Sequence, residues 1–496
     1  MHLASEDQTA DDAIAVRTKS NQRAELVAQT ILVAMLLAAP MLICLHSAFV
    51  SDADIWWHMR MGQWILAHHA VPHVDLYSAQ LAGTRWLAYS WLYELLVVKF
   101  FDRLGMVGLI VYSSTMILAI TAALYHLVRR LQNDFSLITV LTFASAYSMA
   151  HLYSPRPWMF TILFFILELD VLMHVRRTGR LRELLWLPVI FALWANVHIL
   201  FVDGLLVLGL AFAESVIARW WSAAETRVRP MWMGLALLAS VLATLANPFG
   251  WSIYGVAYGL ANQGGALNVV AELQSIAFRD YVDYLILIFA MTSAAALAWQ
   301  RRLLFFETAL LAFAAILSFR STRDEWLMAV VGAMILAANL RVSEKPTHRL
   351  PWFATTLAAI VAALTMPIGL RAMHINDKQL KTQLEKNLPV QAVEAVQAKG
   401  YTGTLFNDYG WGGYLIWALH MPVSIDGRQN LYGDERIDRS IKTWSGEPDW
   451  ATDPQLKSAG VVIGGVKTPL TQLLRTDPHF QLVYEDKLAA VFVAHK

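Results

Sequence analysis

Directly after its first long apolar run, residues 26–50, the chain reads Ser51-Asp52-Ala53-Asp54-Ile55-Trp56-Trp57-His58-Met59-Arg60-Met61-Gly62-Gln63-Trp64. Two carboxylates, an imidazole and three indoles therefore stand where an apolar segment ends. The apolar run is longer than the core of a cleaved signal peptide, and about 20 residues suffice to cross a bilayer. We interpret residues 26–50 as an uncleaved signal anchor. The acidic stretch behind it is where we expect chemistry, if the protein performs any.

The composition extends this interpretation to the whole chain. Of its 496 residues, 57% are hydrophobic and only 16% are charged, and the mean hydropathy is +0.45. These values predict an integral membrane protein. A net charge of +1 with scattered basic residues argues against nucleic acid as a partner. The single cysteine, Cys44, excludes an intrachain disulfide, and no Cys/His zinc spacing is present.

Apolar segments long enough to span a bilayer recur as far as residue 370. We place about eleven transmembrane helices at 26–49, 105–128, 136–152, 157–174, 184–199, 203–218, 231–247, 281–299, 303–319, 326–340 and 351–369. Acidic residues inside these spans are expected to lie near their cytoplasmic ends, where a side chain reaches water easily. Examples are Glu168, Asp170, Glu214 and Glu307.

The orientation follows from the bias of Lys and Arg toward cytoplasmic segments. With the N-terminus inside, the cytoplasmic segments contain most of the basic residues between the spans, namely Arg17, Lys19, Arg23, Arg129, Arg130, Arg176, Arg177, Arg180, Arg182, Arg219, Arg227, Arg229, Arg301, Arg302, Arg341, Lys345 and Arg349. We therefore predict a cytoplasmic tail (1–25), a transmembrane domain (26–370) with a long first outer loop (51–104), and an extracytoplasmic domain (371–496).

Within the first outer loop, the segment from Trp86 to Phe101 predicts an interfacial helix, because Glu94 and Lys99 make it too polar to span. Beyond residue 370 the pattern is that of an α/β domain. A helix is predicted at 389–400, short strands at 404–407, 422–426 and 461–464, and a closing hairpin at 480–484 and 489–494.

The predicted topology places the chemically versatile side chains at the outer ends of the spans. They are Asp52, Asp54, His58, His151, Arg156, His198, Asp203, Asn247, Arg320, Arg323 and Asp324. The inner ends carry mostly arginines, which the orientation rule already explains. The active surface is therefore expected to face outward.

In the acidic stretch, Asp54 and His58 are four residues apart and share a face if the segment is helical. They would act together as carboxylate and orienting imidazole, or join Asp52 as ligands of a divalent ion. The spacing favours Asp54 with His58 over Asp52 as the reacting pair. The structural alternative is an interfacial helix anchored by Trp56, Trp57 and Trp64.

Three further outer corners carry polar candidates. Arg320 and Arg323 stand three apart on a short turn, and guanidinium groups suit the bidentate recognition of phosphate. The alternative is interfacial anchoring of this turn together with Asp324 and Glu325. For His198 the favoured interpretation is a histidine satisfied at a helix end, and Asn247-Pro248-Phe249-Gly250 is typical of a turn.

In the outer domain, residues 407–414 read Asn407-Asp408-Tyr409-Gly410-Trp411-Gly412-Gly413-Tyr414. The mixture of amide, carboxylate, aromatic rings and glycine suits a carbohydrate or peptide contact. Turn chemistry between a strand and a helix is the favoured alternative. Asp426-Gly427-Arg428 would sit on the same rim.

These features resemble the membrane glycosyltransferases of the GT-C superfold, which include oligosaccharyltransferases, protein mannosyltransferases and lipid A aminoarabinose transferases. The resemblance is carried by residues 52–58, Arg156-Pro157, 247–250 and 407–414, which look like those of a group of largely uncharacterised bacterial GT-C-type proteins. Phe406-Asn407 stands where the W-W-D-Y-G motif of oligosaccharyltransferases has two tryptophans, so recognition of a peptide sequon is not implied.

The resemblance implies a set of roles. Asp54 or Asp52, with His58, would be the catalytic group, and the two aspartates would hold a divalent cation such as Mg or Mn if one is used. No second D-x-D motif completes a metal site, so metal dependence stays open. Donor phosphate would contact Arg320, Arg323 and Arg156. The residues assigned to the acceptor or sugar are Asn407, Asp408, Tyr409, Trp411, His151 and His198.

The predicted function is inverting transfer of a sugar from a polyprenyl-phosphate-linked donor to an unknown glycan, lipid or protein acceptor, at the outer face of a bacterial inner membrane. The first alternative is a non-catalytic binder or transporter of lipid-linked glycans, and the second is a degenerate scaffold that acts as an assembly partner. A transporter should place functional charges near the bilayer midplane and show repeat symmetry.

Overall fold

Helices form most of the molecule in the structure, a computed structural model that describes residues 3–47, 52–219, 226–263, 271–300, 304–340 and 350–495. Ser51 of the acidic stretch lies outside the described residues, as do five of the basic residues predicted to face the cytoplasm: Arg301, Arg302, Arg341, Lys345 and Arg349.

Each predicted span coincides with a helix. These helices are α1 (Leu3–Ser47), α4 (Met106–Leu131), α5 (Phe135–Ser148), α6 (Trp158–Thr178), α7 (Trp186–Val197), α8 (Phe201–Ile217), α9 (Pro230–Thr244), α11 (Tyr281–Trp299), α12 (Phe305–Arg320), α13 (Glu325–Asn339) and α14 (Trp352–Ala372). Within the described residues, five are long and apolar enough to cross a membrane, namely α1, α4, α6, α11 and α14. The others have 17 residues or fewer in the described ranges, which at 1.5 Å per residue is less than a hydrocarbon core of about 30 Å. The protein is thus a mostly helical membrane protein, and the count of eleven spans stays a prediction.

Most of these acidic residues in the spans form ion pairs with arginines instead of extending individually to water. The buried guanidinium of Arg176 contacts Glu214 at 2.6 Å and Glu307 at 3.0 Å, and Arg130 pairs with Asp170. Glu168 differs, because it lies in the middle of α6 and is fully buried, with both carboxylate oxygens unpaired among the described residues. Its predicted position near a cytoplasmic helix end is wrong, since α6 continues to Thr178.

Within the described residues, three further α-helices lie between the predicted spans: α2 (Asp54–His68), α3 (Trp91–Leu104) and α10 (Ser252–Ala261). The predicted interfacial helix thus begins at Trp91 instead of Trp86, whose backbone N–H bonds the carbonyl of His73. Trp56 and Trp57 are 3% and 6% exposed. These two indoles are therefore buried in the protein, which argues against the alternative in which they anchor α2 among lipid headgroups.

The C-terminal part contains a four-stranded sheet in the order β1-β2-β4-β3. Its strands are β1 (Leu405–Asn407), β2 (Val461–Gly465), β3 (Phe480–Glu485) and β4 (Ala489–Ala494). β1 is parallel to β2, whereas β4 is antiparallel to both β2 and β3. Its helices are α15 (Asp377–Leu384), α16 (Val390–Lys399), α17 (Gly412–Leu419), α18 (Gln429–Trp444), α19 (Pro454–Lys457) and α20 (Pro469–Leu474).

Four of the five predicted strands are confirmed, and the strand at 422–426 is wrong. Val423 instead forms an isolated bridge to Ser78 of the first loop, and its N–H bonds the carbonyl of Tyr77 at 3.0 Å. Pro422 has no N–H to offer a sheet, which explains why this segment pairs only briefly.

The first loop and the C-terminal part are joined by a buried ion network. The guanidinium of Arg428, with a fully buried side chain, donates to Asp75 at 2.5 Å and to both oxygens of Asp426 at 2.8 and 2.7 Å. The hydroxyl of Tyr432 completes the network on Asp426 at 2.7 Å. Buried charges are tolerated only when paired and hydrogen-bonded in this way, so the network fixes how the C-terminal part sits on the first loop.

Close backbone contact supports the same junction. A Cβ atom on Gly413, in α17, would lie 2.3 Å from the carbonyl oxygen of Ala53, at the start of α2. Only glycine permits that approach. Trp56 then packs edge-on against Tyr414, with ring centroids 5.4 Å apart. The glycines of the 407–414 motif therefore place α17 against the acidic stretch.

Candidate functional site

A cavity of about 310 Å³ lies where the acidic stretch meets the C-terminal part. We call it the Asp54 cavity. Its lining comes from eight separate segments of the chain and includes Asp54, His58, Arg156, His198, Asp203, Glu272, Arg320, Arg323, Asp324 and residues 427–430. Six of the candidate site residues predicted from sequence thus share one cavity: Asp54, His58, Arg156, His198, Arg320 and Arg323.

The two aspartates of the acidic stretch are bridged by one arginine. Nε of Arg156 donates to Oδ2 of Asp52 at 2.5 Å, and its Nη1 donates to Oδ2 of Asp54 at 2.5 Å. Oδ1 of Asp52 accepts the backbone N–H of Asp54 at 3.0 Å. The guanidinium also lies 4.9 Å from the ring centroid of Trp158. Arg156, predicted to contact donor phosphate, is therefore already engaged by both carboxylates.

The environment of Asp54 tunes its proton affinity. Burial raises the pKa of Asp54 to about 6, although the Arg156 guanidinium opposes the rise and the charge of Asp52 adds to it. The carboxyl is then mostly ionised at neutral pH, yet holds a proton more readily than an ordinary aspartate. That is the condition a general base needs, because its pKa should lie near the working pH.

His58 is bonded to a glutamate that the sequence did not mark as a site residue. Its Nδ1 lies 3.1 Å from Oε1 of Glu94, and both side chains are buried. Burial lowers the pKa of His58 well below its usual value and raises the pKa of Glu94 well above its own. The pair is therefore a neutral hydrogen bond. Asp54 and His58 line the same cavity, as their spacing predicts, but each is bonded to another residue. A lone glutamate in an apolar segment needs a partner, and this was the available signal for Glu94.

The arginines of the predicted phosphate corner have spare donors. Among the described residues, neither Arg320 nor Arg323 forms an ion pair with a carboxylate within 4.0 Å. Nε of Arg323 is buried and has no hydrogen-bond partner among the described residues. A buried donor left unpaired is costly, and an anion in the Asp54 cavity would satisfy it.

A second cavity, of about 350 Å³, lies against the first. Its lining includes Asp52, His151 and Thr322, and it shares Arg156, Glu272 and Arg323 with the Asp54 cavity. Nε2 of His151 lies 3.6 Å from Glu325. Arg156 thus lines both cavities. Glu272, which lines both, was not predicted as a site residue, because no motif marks it.

The 407–414 motif is used mainly for structure. The amide of Asn407 is fully buried; it donates to the carbonyls of Asp408 and Ile425 and accepts from Ser424. Asp408 accepts the N–H of Gly410 at 2.9 Å.

Trp411 donates to the carbonyl of Asn387 at 3.0 Å. Only Tyr409 approaches the cavity, through a hydrogen bond to Gln429 of its wall. These contacts favour the turn interpretation over an acceptor or sugar contact.

The surroundings of His198 and Asn247 match the structural roles that the sequence favours for them. Nδ1 of His198 is satisfied by the hydroxyl of Thr161 at 2.7 Å, although the ring still lines the Asp54 cavity. The turn at Asn247 is confirmed, since its side chain accepts the N–H of Phe249 at 2.7 Å and Gly250 has a φ of 52°.

The carboxylates do not form a divalent-cation site as they stand. No group of three or more His, Cys, Asp or Glu side chains in the described ranges is arranged to hold a metal ion. Asp52 and Asp54, the predicted ligands, direct one oxygen each at the guanidinium of Arg156. Magnesium and manganese prefer about six oxygen ligands in an octahedral shell, which this arrangement does not provide.

Comparison with known proteins gives a fold but no sequence relative. No family model matches the sequence, and no curated protein is significantly similar to it. The crystal structure of the oligosaccharyltransferase of Archaeoglobus fulgidus in its apo form is similar with a TM-score of 0.54 at 12% identity, over 89% of this chain and 69% of that one.

The same archaeal enzyme, tethered by a disulfide bond to an acceptor peptide containing the NVT sequon, gives a TM-score of 0.52 at 13% identity, over 89% of this chain and 68% of that one. The apo structure of ArnT from Cupriavidus metallidurans gives a TM-score of 0.46 at 12% identity, over 96% of this chain and 98% of that one. The match to the archaeal enzyme confirms the resemblance to the GT-C superfold for the fold alone.

Proposed function

We propose that this protein is a glycosyltransferase that moves a sugar from a polyprenyl-phosphate-linked donor to an acceptor hydroxyl. The observation that supports it best is one cavity in which the carboxylate of Asp54 lies together with Arg320 and Arg323, two arginines without a carboxylate partner in the described ranges. A base and an anion-binding group are the two parts that displacement of a lipid phosphate requires. The shared GT-C fold supports the same assignment.

The proposed reaction is a single displacement. Asp54 accepts the proton of the acceptor hydroxyl, whose oxygen forms a bond to the anomeric carbon of the donor sugar. The bond from that carbon to the phosphate oxygen breaks, and the lipid phosphate leaves with the electron pair. Arg320 and Arg323 offset the charge that develops on the phosphate. Attack opposite the leaving group inverts the anomeric configuration.

The size of the cavity bears on what enters it. A volume of about 310 Å³ is at the small end of ligand pockets, which range from about 300 to 1,000 Å³. It suits a sugar and its phosphate, whereas the polyprenyl chain would stay in the surrounding lipid. The donor would then arrive by lateral diffusion, and no nucleotide-binding loop is needed.

The proposed placement is the inner membrane of a bacterium, with the N-terminus in the cytoplasm. In this orientation the Asp54 cavity opens on the outer side, and the segment 371–496 covers it from outside the membrane. The bias of basic residues supports this topology, as does the position of Asp54 directly after α1.

A non-catalytic transporter of lipid-linked glycans is the second candidate. Glu168 favours it, because a carboxyl group in the middle of a membrane helix that finds no partner among the described residues often marks a transport pathway. The transporter candidate assigns no chemistry to Asp54, which separates it from the transferase.

The deciding experiment compares cells that lack the protein with cells complemented by wild type or by Asp54→Asn. Lipid-linked sugars and surface glycans are quantified by mass spectrometry. The transferase predicts that Asp54→Asn behaves like the deletion, with accumulated donor. Asp438→Asn is the matched control, since Asp438 is 56% exposed and pairs with its helix neighbour Lys442. Full rescue by Asp54→Asn, or unchanged glycans in the deletion, would reject the transferase.

A further inference from the structure

We infer that Arg156 is a built-in replacement for a divalent cation between Asp52 and Asp54, so that the site operates without a metal ion. The catalytic part of this inference rests on the proposed function. The structural part concerns only which cation the two carboxylates hold, and it can be tested without any substrate.

The geometry of the bridge carries the inference. One guanidinium spans both carboxylates through Nε and Nη1, each 2.5 Å from an oxygen. The planar fork of arginine matches carboxylate oxygens in this way, and the charge cannot be lost by deprotonation. The position between two acidic side chains, where a metal would lie, is thus filled by a permanent cation of the chain itself.

The surroundings hold Arg156 in that position. Its guanidinium is 4.9 Å from the ring centroid of Trp158, and the backbone N–H of Arg156 bonds the carbonyl of Ser154 at 2.7 Å. The preceding carbonyl, of Pro155, accepts the hydroxyl of the buried Tyr93. The arginine side chain is 17% exposed. Contacts on both the guanidinium and the backbone make displacement by an ion from solvent unfavourable.

The bridge also leaves the right atom available. Asp52 uses both oxygens, one on Arg156 and one on the backbone N–H of Asp54. Asp54 uses Oδ2 on Arg156, and within the described residues its Oδ1 accepts no hydrogen bond. Two carboxylates and one guanidinium retain one negative charge, whereas a divalent ion would cancel it. Arg156 therefore orients Asp54 while leaving it basic, which makes Arg156 a positioning residue.

The test measures Mn²⁺ binding by electron paramagnetic resonance on the full-length protein in lipid nanodiscs. Wild type is expected to bind no stoichiometric Mn²⁺ up to about 1 mM, the weak end of protein cation sites. Arg156→Ala vacates the position between the carboxylates and should gain Mn²⁺ affinity by about tenfold or more. Adding Asp52→Asn to that variant should abolish the gain. Arg475→Ala is the matched control, because Arg475 pairs with Glu485 at 2.8 Å and lines neither cavity.

Two results would overturn the inference. The first is one Mn²⁺ bound by wild type and lost in Asp52→Asn, an arm that needs no arginine variant. The second is an Arg156→Ala protein with a melting temperature near that of wild type that gains no Mn²⁺ affinity. If Arg156→Ala does not fold, Arg156→Lys takes its place, since one ammonium cannot bridge both carboxylates as a planar fork does. Because Mn²⁺ binding needs no sugar donor, failure of the transferase proposal would leave this result readable.

Discussion

Replacing Gly427 by alanine should disable the site while leaving the fold in place. A Cβ atom at this position would lie 1.9 Å from Oδ1 of Asp54, 2.5 Å from its Cγ and 2.7 Å from its Oδ2. Ordinary contact begins at 3.4 Å, so the carboxylate or the backbone at 427 must move by about 1.5 Å. A misplacement of about 1 Å can reduce a rate by about 100-fold. The accompanying loss of stability should be about 1–3 kcal/mol, as for other overpacked sites.

The assay uses proteoliposomes made with total lipid extract from cells that lack the protein, and it follows release of polyprenyl phosphate by mass spectrometry. Gly255→Ala is the matched control, since its added Cβ would meet no described heavy atom within 4 Å beyond the adjacent residues and the backbone of its own helix, and alanine favours a helix. We expect release to fall about 100-fold with Gly427→Ala and to be unchanged with Gly255→Ala. A Gly427→Ala protein with the wild-type rate would show that Asp54 does not act from its observed position.

The remaining predictions concern the pH profile, the anion-binding group and the buried pair. Since burial raises the pKa of Asp54 to about 6 and a base acts when ionised, kcat/KM should rise with pH to about 6 and then level; a flat profile below that pH would contradict this role. Arg323→Gln should raise KM for the donor about 10- to 100-fold, the worth of a hydrogen bond to a charged group, whereas Arg475→Gln should not; equal effects would remove the phosphate role. Glu94→Ala should lower the free energy of unfolding by about 1–3 kcal/mol, because it leaves His58 without its partner. Glu94→Gln keeps a hydrogen-bonding group and should lower the free energy of unfolding less than Glu94→Ala does. Equal melting temperatures for the two variants would show that the bond to His58 is unimportant.

The helices and strands were predictable because they depend on local patterns. Apolar runs mark the helices, and the hairpin of β3 and β4 was predicted to within one residue at each end. The segment 422–426 failed, since Val423 pairs with Tyr77 and Ser78 of the first loop instead of with a strand of the sheet. Local propensity does not determine which distant segment a short extended stretch will meet.

The sequence predicted which residues line the site better than it predicted which residues they bond. Spacing on one helix predicted that Asp54 and His58 would share a face, and both line the Asp54 cavity. Their partners, Arg156 and Glu94, are 102 and 36 residues away, and pairing over such distances is decided by tertiary packing. Gly427 was predicted only to lie on the same rim as residues 407–414. Its need for glycine arises from contact with Asp54, which no local pattern encodes.

The buried bond between Asp75 and Arg428 also has a consequence for the protein during its synthesis. Its two ends are 353 residues apart in sequence. At a synthesis rate of about 5–20 residues per second, roughly 20 to 70 seconds pass between the appearance of the aspartate and that of its arginine. Through that interval the loop around Asp75 lacks its counter-charge, and the wall formed by residues 427–430 does not yet exist. The Asp54 cavity is therefore complete only after this last wall has been made.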